Sequence, residues 1–198
     1  TVPEPTFDWA KLIANKDREI DRLEGIYESI LKNAGVAFFH GHARLLDRHT
    51  VEVGDQKFSA ETILVATGGT PTFPMEPGWE HGISSNEAFH LKELPKRAVV
   101  AGGGYIAVEF AGIFNGLGSE VTQIYRGPQI LRGFDDDVRN TLAGEMVKKG
   151  INLLVETTID RIDKREKDLR LHLSDGSTLE TDLVMAATGR KPNTENLG

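Results

Sequence analysis

The chain has no cysteine among its 198 residues, which excludes a disulfide scaffold, a thiolate metal site and a cysteine nucleophile within it. It is also short of positive charge, with 23 Lys and Arg against 30 Asp and Glu, a formal net charge of -7. A nucleic-acid partner or an anionic membrane surface is therefore not expected, since either is held by a basic surplus. No apolar run approaches the roughly 18–20 residues of a membrane-spanning helix, so no membrane partner is expected on that count either. There is no Gly-x-Ser-x-Gly elbow and hence no support for a serine hydrolase. The chain opens Thr1-Val2-Pro3-Glu4-Pro5, with neither a Met nor a charged-then-apolar leader. It reads as a piece of a longer, cytoplasmic protein. What remains, 39% hydrophobic and 27% charged, is the composition of an ordinary globular chain with length for one large domain or two small ones.

Apolar residues at Trp9, Leu12, Ile13, Ile20, Leu23, Tyr27, Ile30 and Leu31 fall three, four and seven apart. That spacing predicts one long helix from about Asp8 to Asn33, stopped by Gly35. Short apolar or alternating runs follow at Val36 to Phe39, at Leu45-Leu46 with Val51 and Val53, and at Thr62 to Ala66, and they predict strands. The stretch Gly68 to Pro74, then Pro77-Gly78, is too rich in breakers for regular structure. A short helix is expected from Ser85 to Leu91, and a domain boundary at Leu94-Pro95. From Ala98 onward strand and helix alternate: strand Ala98–Ala101, a helix face through Ile106, Phe110, Ile113, Phe114 and Leu117, strand Val121–Tyr125, helix Asp135–Lys149, strand Ile151–Val155. An antiparallel hairpin through Leu169, Leu171, Leu173 and Leu179 precedes a last apolar run, Leu183–Ala187. The fold class expected is α/β, a parallel sheet with right-handed crossovers and an inserted antiparallel hairpin. Two apolar runs end alike, in Ala66-Thr67-Gly68 and Ala187-Thr188-Gly189.

The sharpest signal is Gly102-Gly103-Gly104-Tyr105-Ile106-Ala107, a Gly-x-Gly-x-x-Ala between a predicted strand and a predicted helix. In a dinucleotide site Gly102 would make the tight turn out of the strand and Gly104 would leave room for a pyrophosphate at the helix N-terminus. Ala107 would let helix and sheet pack closely. The second strand ends Gln123-Ile124-Tyr125-Arg126 without the carboxylate that binds a ribose 2′-hydroxyl. Arg126 and Arg132 stand there instead. Either is a solvated loop residue, or the two form guanidinium forks for the 2′-phosphate of an NADP-type coenzyme; a pair at this address favours the phosphate. His40, His42 and His49 cluster in sequence but lack helical pairing, and Asp135-Asp136-Asp137 suits a helix N-terminus, so no metal site is expected.

The Gly102–Glu109 segment, the Tyr125-Arg126 and Leu131-Arg132-Gly133-Phe134-Asp135 stretch, the two Ala-Thr-Gly runs and Thr188-Gly189-Arg190-Lys191-Pro192-Asn193 together resemble the flavoprotein pyridine nucleotide-disulfide oxidoreductases. Within them the likeness is greatest to the branch that reduces glutathione disulfide, with the trypanothione-reducing branch nearby. The resemblance implies a Rossmann-like NADPH-binding domain over residues 95–187, part of an FAD-binding domain over residues 1–94, and a return to the FAD domain over residues 188–198. It implies NADPH contacts at Gly103, Ile106, Arg126, Arg132 and Gly189, and a nicotinamide-covering tyrosine at Tyr105. Glu109 would pair with a flavin-side lysine outside the chain. Ala43, Thr67, Gly68 and Arg190 would lie near FAD, and Tyr27 at the disulfide-substrate site. The partners implied are a small disulfide, glutathione disulfide foremost, and a second copy in a homodimer. The family's Cys-x-x-x-x-Cys pair, first FAD glycine motif, late flavin Asp and C-terminal His-Glu pair are absent; on this resemblance they would lie before Thr1 or after Gly198. The chain alone would not turn over. A flavin NAD(P)H oxidoreductase or transhydrogenase without a disulfide, and a nucleotide-binding module without turnover, are the alternatives.

Overall fold

The computed structural model describes residues 6–198, and they divide into two compact units. One comprises residues 11–70 and 191–198; the other, residues up to 10 and 71–190.

In the first unit, α1 (Trp9–Asn33) supplies the long expected helix from residue 11 onward. It ends as Gly35 predicts. Gly35 sits at φ 72°, its N–H donates to Lys32 O, and Val36 N–H donates to Leu31 O. Those two bonds satisfy carbonyls that the last turn leaves without partners. A three-stranded antiparallel sheet follows, β1 (Ala43–Asp47), β2 (Thr50–Val53) and β3 (Gln56–Ser59), paired in that order. Val36 to Phe39 and Thr62 to Ala66, expected as strands, form none. A strand exists by its ladder and its packing neighbours, and neither run is laddered among the described residues. Leu64 is 87% exposed. No residue of this unit is buried, so it has no interior of its own.

β4 (Gly69–Pro71) leads into the second unit, which holds every buried apolar side chain of the described residues. The short helix α2 (Ser85–Ala88) is three residues briefer than expected. Three parallel strands follow with their crossovers: β5 (Arg97–Ala101), α3 (Tyr105–Gly116), β6 (Glu120–Ile124), α4 (Asp136–Lys148) and β7 (Asn152–Leu154). Asp135 caps α4, accepting from Asp137 N and Val138 N. The expected hairpin is larger than foreseen: β8 (Ile159–Lys164), β9 (Leu169–Leu173) and β10 (Thr178–Thr181) make a three-stranded antiparallel sheet. β11 (Leu183–Ala186) then joins β5, giving the parallel order β11-β5-β6-β7, and β12 (Arg190–Pro192) leads out. The expected boundary at residues 94 and 95 falls inside this unit, whose contiguous part begins at Pro71.

Alternation along β5 explains the layering. Ala98 and Val100 pack with Ala107, Phe110, Ala111 and Phe114 of α3, while Val99 and Ala101 face Ile159, Ile162, Leu171 and Leu173 of the antiparallel sheet. A strand buried on both faces reads as a continuous apolar run, as this one does. The result is three layers: helices, parallel sheet, antiparallel sheet. Burying a side chain such as Phe114, fully enclosed here, contributes about 1.5–3 kcal/mol.

Candidate functional site

Sheet order reverses between β5 and β11, and a crevice opens beyond the carboxyl ends of the parallel strands at such a point. A cleft of about 680 Å³ occupies it, lined by Ala101–Gly104 at the end of β5, Ile124–Arg126 at the end of β6 and Ala187–Gly189 after β11. Arg132, Thr157 and Thr158 line it as well, together with the segment Phe73–Glu76. Its charged lining groups are Arg126, Arg132 and Glu76. Neither arginine makes an ion pair or side-chain hydrogen bond among the described residues, and both side chains are exposed.

The three glycines act differently. Gly102 is at φ 149°, and a Cβ there would lie 2.2 Å from the carbonyl oxygen of Ala187. Its N–H donates to Ile124 O, which draws the turn against the end of β6. At Gly103 a Cβ would lie 2.5–2.6 Å from the ring of Tyr125, and at Gly127 one would lie 2.7 Å from the same ring. Tyr125 therefore occupies a slot that two glycines keep open. At Gly104, the N-cap of α3, a Cβ would meet nothing within 4 Å. That open space faces a helix whose first-turn amides lack intrahelical partners, the surroundings an anion takes. Gln123, wholly buried, donates Nε2–H to Gly102 O at 2.9 Å and steadies the loop from beneath.

Of the residues singled out from the sequence, Gly102, Gly103, Gly104, Arg126, Arg132 and Gly189 are thus brought together at one cleft. Ala107 is fully buried between α3 and the sheet, as close packing requires, and Ile106 is half-buried beside the same core. Tyr105 and Glu109 lie four residues apart on the exposed side of α3, outside the cleft lining. Arg190 begins β12. Ala43, Thr67, Gly68 and Tyr27 belong to the other unit. There Thr67 Oγ1–H donates to Asn193 O at 2.6 Å, and Tyr27 is 64% exposed on α1. Tyr125, Thr157 and Thr158 went unnoticed as site residues. Tyr125 adjoins Arg126 in sequence and could have been read from that; the two threonines come from a separate loop with no motif.

Residues 3–198 match the pyridine nucleotide-disulphide oxidoreductase family. The chain belongs to this family. It is 45% identical to a glutathione reductase of Nostoc over 199 residues, covering all of this chain and 43% of that protein. It is 47% identical to a glutathione reductase of Burkholderia cepacia, covering 96% of this chain and 42% of the relative. Among solved structures it resembles the HOCl-induced flavoprotein disulfide reductase RclA of Escherichia coli, at a TM-score of 0.86 and 28% identity over 96% of this chain and 45% of that one. The chain thus spans less than half the length of these relatives.

Proposed function

We propose that the cleft binds NADPH, and that the chain is the NADPH-binding segment of an FAD-dependent disulfide reductase acting on glutathione disulfide. The carrying observation is the pair of guanidiniums, Arg126 and Arg132, without a side-chain partner among the described residues and lining the same cleft as the glycine loop. The residues present suit the coenzyme: the clear space at Gly104 and the first-turn amides of α3 would take the pyrophosphate, and the two arginines the 2′-phosphate. Bound NADPH supplies a hydride. The chain's residues would bind and orient it, with Gly102, Gly103, Ile106, Ala107 and Gly189 shaping the loop. Tyr105 would cover the nicotinamide end, and Glu109, one turn on, would pair with a lysine from outside the chain.

For FAD the residues in question are Ala43, Thr67, Gly68 and Arg190, with Tyr27 at the disulfide. Thr67 has both its hydroxyl and its carbonyl engaged by Asn193, and no residue of its unit is buried. The flavin half of the reading is supported by the family and by the relatives' names. Residues 95–187 are proposed as the NADPH domain, residues 1–94 and 188–198 as parts of the FAD domain. The whole protein is proposed to act as a cytoplasmic homodimer.

Calorimetric titration of the chain should give NADPH and 2′-phospho-ADP-ribose at least about tenfold tighter binding than NADH, as charge-assisted forks to a phosphate imply. Equal affinities would remove the reading. Arg126→Glu should weaken NADPH far more than NADH. In the longer protein, glutathione disulfide rather than trypanothione disulfide should drive NADPH oxidation.

A further inference from the structure

Arg139 stands at an odd place for a cation. It is the fourth residue of α4, in the first turn, where the helix dipole is positive and acids are favoured. Its side chain is only 19% exposed, and each of its three guanidinium nitrogens donates a hydrogen bond. Nε donates to Ile130 O at 2.8 Å, Nη2 to Gln129 O at 3.1 Å and Nη1 to Asp136 Oδ1 at 2.6 Å. Two of the three bonds go to carbonyls of the loop that carries Arg132. The next residue of α4 does likewise, Asn140 Oδ1 accepting from Gln129 Nε2 at 2.9 Å. At its other side the loop is tied to the glycine turn, Leu131 N–H donating to Gly103 O at 2.6 Å. Leu131 is buried at φ 55°, a left-handed conformation that a leucine adopts only when its surroundings impose it.

We infer that Arg139 is a positioning residue for the coenzyme site, fixing the loop 129–131 so that the adjoining Arg132 meets the 2′-phosphate already oriented. The inference rests on the NADPH reading and deepens it. Arg139 does not line the cleft and would touch no ligand; it acts through Arg132. A guanidinium suits the task because its planar fork reaches two carbonyls and a carboxylate at once, whereas an ammonium offers a single point of charge.

The test titrates the 198-residue chain and its variants with NADPH and NADH. Arg139→Met keeps the aliphatic stem and removes the fork. It should weaken NADPH roughly tenfold, as loss of a well-held phosphate contact does, and leave NADH within about twofold. Arg139→Lys, which keeps the charge, should fall between. Because both residues serve one contact, Arg132→Ala and the Arg132→Ala/Arg139→Met double variant should bind NADPH equally within about twofold. Parallel loss of both coenzymes, or additive losses in the double variant, would overturn the inference. If Arg139→Met does not fold, the NADPH-to-NADH ratio of Arg139→Lys decides by the same criterion. An unmodified chain without NADPH preference would defeat the underlying reading and this inference with it; a preference that Arg139 variants leave unmoved would defeat this inference alone.

Discussion

Adjacent glycines in the 102–104 turn fail differently when given a methyl group. At Gly102 an alanine would face both a disfavoured φ of 149° and a backbone oxygen 2.2 Å away, neither of which can yield cheaply. Gly102→Ala should destabilise the chain by about 2 kcal/mol or more, read from urea midpoints. Gly104 has ordinary extended geometry, φ -84°, and open space. Gly104→Ala should therefore leave the midpoint nearly unchanged while weakening NADPH binding. If both variants lost stability equally, the open space at Gly104 would have no functional meaning. Only Gly102 and Gly104 were assigned a physical task from the motif. The slot that Gly103 leaves for the Tyr125 ring depends on a side chain 22 positions away and could not be read from the turn itself.

α2 shows how little a short element needs. Its four residues are held by a reciprocal cap: Ser84 Oγ accepts from Asn86 N, and Glu87 Oε2 accepts from Ser84 N and Oγ. Those bonds keep the Glu87 carboxyl below its ordinary value. Ser84→Ala should cost about 1 kcal/mol in a thermal melt. The longer elements of this unit were legible because each buries a repeating face: β5 and β11 both faces, α3 a stripe through Phe110 and Phe114. β8 was not. Its inward residues Ile159 and Ile162 stand three apart because the ladder slips between Ile159 and Arg161, and a bulge of that kind breaks the two-residue alternation on which strand reading depends. Val36 to Phe39 differs in the opposite sense, having a strand's composition without a ladder partner among the described residues. At the site, the glycines and arginines were visible as a motif. Thr157, Thr158 and Arg139 act from other elements and carry no signature.

On the scale of the molecule, acid should loosen the second unit at a nameable place. Asp182 receives the Arg97 guanidinium at 2.6 Å and the Arg97 N–H at 2.9 Å, joining the starts of β5 and β11. The hydrogen bonds from Arg97 hold its carboxyl below the ordinary 3.8. A carboxylate whose folded value is depressed binds protons more readily when unfolded. Its stabilisation is whole above the unfolded value and disappears as pH falls through the folded one. Urea midpoints should accordingly drop on acidification below about pH 4, and Asp182→Asn should be less stable near neutrality with a flatter acid limb. An unchanged slope in that variant would assign the acid loss to other carboxylates. The other unit poses a different problem. Leu64, Tyr27, Ile30 and Phe38 are each more than half exposed in a unit that buries no residue, so residues 11–70 present apolar surface that bears on how the purified chain behaves as a colloid. Sulfate-type salts that sharpen hydrophobic attraction should lower the concentration at which it stays dispersed, and mild detergent should raise it.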